Sequence, residues 1–178
     1  MKTQRILLVA ALSCATTLFA APPAAPGARV EVIFEQPEKY TDVKDSFTGT
    51  EKGRDGYLAE LKTHVQERAL RRLGPGQTLT FTFTNIDMAG DFEPGRGPSF
   101  DDIRIVKDIY PPRINFSYKL VDESGEVLKE GQEKLVDLSF QISASPINTG
   151  DTLRYEKALL DNWLRDKIQL PKAAAAKK

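Results

Sequence analysis

From Gln77 to Ile86 the chain alternates with a period of two. Leu79, Phe81 and Phe83 fall on one side, and Thr78, Thr80, Thr82 and Thr84 on the other. In a pleated strand successive side chains point to opposite faces, so this segment needs a sheet that is buried on one face and wetter on the other. Arg29 to Glu35 repeats the pattern, with Val30, Val32 and Phe34 opposed to Glu31, Ile33 and Glu35.

What must cover the buried face is also legible. From Tyr57 to Leu73 the period becomes 3.6, and Tyr57, Leu58, Leu61, Val65, Ala69 and Leu73 make one apolar stripe. Arg68, Arg71 and Arg72 crowd its last turns, where cations complement the helix dipole, and Gly74-Pro75 ends it. A second helix is expected from Thr152 to Leu170, with Asp151 as N-cap and Pro171 as terminator. Its stripe is Leu153, Leu159, Leu160, Trp163, Leu164 and Ile168. Between the helices, Ile103 and Ile105 suggest a third strand running to about Tyr110. Ile114, Phe116, Tyr118 and Leu120 mark a fourth, and Asp122 to Gly125 supplies a turn into a fifth. In that last strand Val127 is out of phase with Val136, Leu138, Phe140 and Ile142, so a β-bulge is expected near Gly131. The order β-α-β-β-β-β-α predicts a single α+β domain over residues 29–171. Its two helices pack on one face of a mainly antiparallel five-stranded sheet. The helical crossover allows the first two strands to be parallel neighbours.

The chain has 178 residues, room for one ordinary domain. Met1 to Arg5 is basic, Ile6 to Ala15 is apolar and Leu18-Phe19-Ala20 precedes Ala-Pro-Pro, the layout of a secretory signal peptide over residues 1–20. An alternative is a lipoprotein signal ending at Cys14, but the apolar character runs on past it to Phe19. Cleavage after Ala20 removes the one Cys, so the body would hold no disulfide and no thiol nucleophile. The Pro/Ala-rich stretch 21–28 and the tail 172–178 are expected to be disordered. With 25 basic and 25 acidic residues, there is no cationic excess of the kind a nucleic-acid partner requires. No transmembrane span is expected once the leader is removed, and the protein is expected in the periplasm.

The search for chemistry is mostly exclusion. His64 is the one histidine, so with Cys14 removed neither a His/Cys metal cluster nor a Cys-His dyad can form, and its simplest role is a half-exposed helix histidine. Gly97-Pro-Ser99 lacks the second Gly of a nucleophile elbow. No catalytic or cofactor-binding residue is identified, and no cofactor is expected. Carboxylates remain. Asp87, Asp91, Glu93, Asp101 and Asp102 lie in or beside one long polar loop, and Asp42 and Asp45 in another, Gln36 to Gly56. If the loops meet at one end of the sheet, these acids are candidate ligands for Ca²⁺ or Mg²⁺. Glu156 falls inside the apolar stripe of the second helix, and a carboxylate buried there needs a partner. Arg104 is the expected one, as a clamp between helix and sheet, with Arg113 and Arg154 as alternatives.

Several segments together resemble a known family. Val30-Glu-Val-Ile-Phe34, Asn85-Ile-Asp-Met-Ala-Gly90, Asp102-Ile-Arg104-Ile and Leu153-Arg-Tyr-Glu-Lys157 with Trp163 look like the proteobacterial family catalogued as domain of unknown function 3016. The resemblance spans nearly the whole body and implies a secreted envelope protein, without implying a reaction or a ligand. The expectation is a non-catalytic binding or accessory module with an envelope protein or ligand as partner. Its contact surfaces would be the threonine face and the two long loops. The alternative is a hydrolase of an envelope polymer, dependent on carboxylates or a divalent cation.

Overall fold

The computed structural model of the chain describes residues 29–95, 101–143 and 150–168. The expected leader, the Pro/Ala stretch, the tail, Cys14, Ser99 and Pro171 lie outside them. The main sheet contains Val30–Phe34 (β1), Thr78–Asp87 (β2), Arg113–Val121 (β5) and Val127–Val136 (β6), in the order β1-β2-β5-β6. β1 and β2 are parallel, with Val30 opposite Leu79 and Phe34 opposite Phe83, and the other pairs are antiparallel. Helix α1, Glu51–Leu70, makes the crossover between β1 and β2. Two short strands, Asp91–Phe92 (β3) and Arg104–Ile105 (β4), form a separate ribbon. One helical turn, Phe140–Ser143 (α2), precedes the second long helix, Arg154–Lys167 (α3).

The sheet is thus mixed and four-stranded where five strands were expected. The segment from Ile103 to Tyr110 pairs only at Arg104–Ile105, and Ile103 and Ile109 are exposed. Apolar alternation over so few residues does not bring a segment into the main sheet. The core forms between the sheet and the helices. Leu79, Phe81 and Phe83 are fully buried, beside Ile114 and Phe116 from β5 and Leu61, Val65 and Ala69 from α1. Every member of the expected α3 stripe is buried, and the Trp163 ring meets Phe116 and Tyr118 edge-on at 4.9 Å in each case. Thr80 and Thr82, on the opposite face, are only half-buried.

Two local expectations are corrected. The ladder runs regularly through Gly131, which lies opposite Tyr118. A Cβ there would sit 3.2 Å from the tyrosine ring, so this glycine makes room for an aromatic side chain. The irregularity of β6 falls at Leu128, between the pairs Leu120–Lys129 and Val121–Val127. After Val136 the chain leaves the sheet, so Leu138 and Ile142 are exposed while Phe140 is buried. A second bulge, at Thr84 in β2, restores the parity that lets Ile86 face the same core as Phe83.

Helix α1 starts six residues earlier than the apolar stripe indicates. Thr50 is its N-cap, and the Thr50 side chain accepts from Gly53 N at 2.9 Å. The Asp45 carboxylate in turn accepts from Thr50 N at 2.9 Å and from its hydroxyl at 2.8 Å. At the other helix the N-cap is Leu153, which makes no side-chain cap, and Asp151, expected in that role, lies two residues ahead of it. Asp151 Oδ1 accepts from Leu153 N at 2.9 Å. Replacing Thr50 with Ala should cost about 1 kcal/mol of stability in urea denaturation. An unchanged midpoint would show that this cap is not what starts α1.

Candidate functional site

The two long connections meet at one end of the sheet. Asp42 forms an isolated parallel bridge with Asp87, its N–H donating to Ile86 O at 3.1 Å and its carbonyl accepting from Met88 N at 3.0 Å. Beside it, Asn85 Oδ1 accepts from Thr41 N at 2.8 Å. The second connection turns back at Gly90, whose φ of 80° is open to glycine. A Cβ there would lie 2.8 Å from the Ile105 carbonyl oxygen, so the β3–β4 ribbon can close only over a glycine.

Arg104 projects from that ribbon into the junction. Its Nη1 donates to Asp42 Oδ2 at 2.6 Å and its Nη2 to Asp42 Oδ1 at 3.0 Å, a bidentate pair. The same two nitrogens donate to Gly90 O and Lys44 O, both at 3.0 Å. The guanidinium lies 4.6 Å from the centroid of the Phe92 ring, an arrangement in which the ring face attracts the cation. Both partners of the ion pair are nearly buried, with 11% of each side chain exposed. One side chain therefore joins the Asp42 loop, the Gly90 turn and the Lys44 backbone.

Glu156 was expected to clamp Arg104, and the structure pairs both residues differently. Glu156 is fully buried in the first turn of α3, and its Oε1 accepts from Ala89 N at 2.7 Å. Oε2 has no hydrogen-bond partner among the described residues. Burial pushes the Glu156 pKa up to about 7, against the Ala89 hydrogen bond and the more distant charge of Arg104. α3 is thus pinned to the β2–β3 turn through a backbone N–H. Asp42 lies nearer the guanidinium and takes it. The alternative partners are also engaged elsewhere: Arg113 with Asp87 at 3.4 Å, and Arg154 with the Tyr155 hydroxyl at 2.7 Å.

The candidate metal ligands do not converge. Asp87 faces Arg113, and its pKa is raised by burial and by the charge of Asp42. Asp91 Oδ1 accepts from the neighbouring Phe92 N at 2.7 Å. Glu93 pairs with Lys107 and accepts from the Tyr110 hydroxyl at 3.2 Å. Asp101 accepts from Gly95 N and Asp102 from Phe47 N, each at 3.2 Å. Among the described residues no three His, Cys, Asp or Glu side chains are grouped so as to hold a metal. Arg104, Arg113 and Lys107 stand where a cation would have to neutralise the acids. Glu156 titrates in a range suited to proton transfer, but with none of it exposed it has no access to a substrate.

Asp42 is the residue of this site whose partner the sequence does not reveal. It lies in an aperiodic stretch, so neither its burial nor its guanidinium could be read from spacing. His64 was expected as a half-exposed helix histidine, and its contact with Asp161 could not be read from the sequence. It is partly buried, and its Nε2 is 3.0 Å from Asp161 Oδ1.

The titration of Glu156 has a definite sign. Its pKa in the fold is raised above the ordinary 4.5 to about 7, so between those values the folded chain binds more protons than the unfolded one. Its contribution to stability therefore falls as pH rises through that window and is flat above it. Glu156→Gln cannot ionise and keeps an acceptor for Ala89 N–H. Relative to the parent chain its stability should rise from about pH 5 to about pH 8, by on the order of 1 kcal/mol per unit within the window. A pH-independent difference in urea denaturation would refute this. Arg104→Ala, which strands Asp42, should cost about 3–5 kcal/mol at neutral pH. A loss below about 1 kcal/mol would mean that the pair is no more than a surface contact.

Among the described residues no helix is long and apolar enough to cross a membrane. No curated protein and no solved structure matches the chain. A family model does match it, over residues 28–166, and covers the sheet, both long helices up to Asp166 and the Arg104 junction. The chain therefore belongs to the family described as protein of unknown function DUF3016.

Proposed function

We propose that this protein is an exported, non-catalytic binding or accessory module of the cell envelope that works in the periplasm. The observation that carries the proposal is the uncovered face of the sheet. No described element packs on it, and Glu31, Ile33, Thr80, Thr82, Ser117 and Gln132 outline a shallow recess of about 590 Å³ there. Such a volume lies in the range of ordinary ligand sites. Hydroxyls and an amide share its lining with Glu31, Lys119 and Glu130, which offers many hydrogen bonds and a small net charge. That composition suits a polar, weakly charged partner.

Export is supported by the layout of Met1 to Ala20 and by a body without thiols, which needs no control of redox state. A hydrolase needs a carboxylate that can reach substrate. At the junction Asp42, Asp87 and Glu93 are bound to protein cations, and Glu156 is sealed. That distribution favours the module over the enzyme.

Cell fractionation combined with N-terminal mass spectrometry tests the address. The expected product is a periplasmic chain beginning at Ala21, and an uncleaved chain in the cytosol would overturn the proposal. A photo-crosslinking residue at Thr82 should capture a discrete envelope partner in intact cells, whereas one at Lys62 on α1 should not. Equal labelling from both positions would exclude the sheet face as the contact surface.

A further inference from the structure

The helical layer carries a second feature, independent of the sheet face. Helices α1 and α3 run side by side in the same direction. Lys157 contacts Glu60 at 2.5 Å, Asp161 contacts His64 at 3.0 Å and Arg68 at 2.9 Å, and Arg72 donates to Ile168 O at 3.1 Å. Parallel packing brings two carbonyl ends together, and their partial negative charges call for cations. Arg72 answers that requirement directly.

The cations present exceed it. Two adjoining recesses along the helix pair, of about 330 and 290 Å³, share Arg68, Arg71 and Asp161 in their walls. Together they present six fixed cations, Arg68, Arg71, Arg72, Arg154, Lys157 and Arg165, against three acids. Two of those acids are already engaged, Asp151 with Lys157 at 2.6 Å and Asp161 with Arg68 and His64. Asp161 illustrates the local field: burial alone would raise its pKa, yet His64 and Arg68 hold it below the ordinary carboxylate range. Arg71 is exposed, and its guanidinium makes no hydrogen bond or ion pair with any described residue. Lys157 also pairs with Glu60, and Arg165 lies 3.9 Å from Asp166, both acids outside the two recesses, so the excess positive charge is concentrated at the Arg71–Arg72 end of the groove.

We propose that the α1–α3 groove binds a phosphate-bearing anion, with Arg71 as its free guanidinium and Arg68, oriented by Asp161, as the second. Guanidinium groups match phosphoryl oxygens in a planar, bidentate geometry, and two facing one recess hold a doubly charged group better than a carboxylate. The phosphoryl group belongs either to a soluble phosphate compound or to a phospholipid headgroup.

Calorimetric titration of the mature chain with inorganic pyrophosphate at about 20 mM salt tests the soluble source, because screening at higher salt weakens exposed charge contacts. Co-sedimentation with phosphatidylglycerol vesicles, against phosphatidylcholine alone, tests the headgroup. Binding is expected in at least one arm, weakened about tenfold by Arg71→Glu and unchanged by Lys39→Glu on a remote surface. Arg71 has no partner to lose, so its variant should keep the parent urea midpoint. A response in the first arm assigns the site to a soluble phosphate compound, and one confined to vesicles assigns it to a headgroup. The proposal is overturned by absence of binding in both arms, or by binding that Arg71→Glu leaves intact or that Lys39→Glu weakens equally.

Discussion

The buried pair between Arg104 and Asp42 is the constraint on which the sheet end depends. Two acids, Asp42 and Asp87, are brought together by a backbone bridge in which the carbonyl and N–H of Asp42 are both used. Carboxylates forced together in this way repel unless a cation separates them or one takes up a proton. Arg104 enters from a different segment, bonds both oxygens of Asp42 and donates two further Nη hydrogens to two backbone carbonyls. A charge buried with so many partners offsets its desolvation, whereas either partner alone would be costly. The short β3–β4 ribbon, too small to be stable by itself, is held in place by the same group.

The layer architecture was largely legible in the sequence, for a physical reason. Leu79, Phe81 and Phe83, and the stripes of α1 and α3, sit in long regular segments where burial leaves a periodic imprint. The parity argument for a bulge was sound in kind and misplaced at Gly131. It holds in β2, where Phe83 and Ile86 differ in phase and both are buried. Gly131 answers to Tyr118 across the ladder, a contact that no local pattern encodes. The site was half legible. The anomaly of Glu156 within an apolar stripe was visible, but its partner is a backbone N–H on a turn remote in sequence. Likewise the partner of Arg104 lies in an aperiodic loop, where burial leaves no imprint at all.

The two faces of the molecule follow from the same asymmetry. Because α1 and α3 both cover one side, the other side of the sheet stays polar and open. Because they lie parallel, their carbonyl ends converge and gather arginines. Sequence reading assigned Arg68, Arg71 and Arg72 to helix stability. That holds for Arg72, which bonds the end of α3, and for Arg68, which bonds Asp161. It leaves Arg71 without a structural task, and that surplus is what separates a stabilised helix end from a surface that can receive an anion.

At the sheet end Asp42, Asp87 and Glu93 are neutralised by the protein's own cations, Arg104, Arg113 and Lys107, rather than arranged around a metal. Calorimetric titration with Ca²⁺ and Mg²⁺ tests this, since hard divalent ions bind only where several oxygen ligands can converge on them. No saturable heat is expected with either ion. A saturable signal that disappears in Asp87→Asn would contradict it, because the ion would then be occupying the position here given to Arg104 and Arg113.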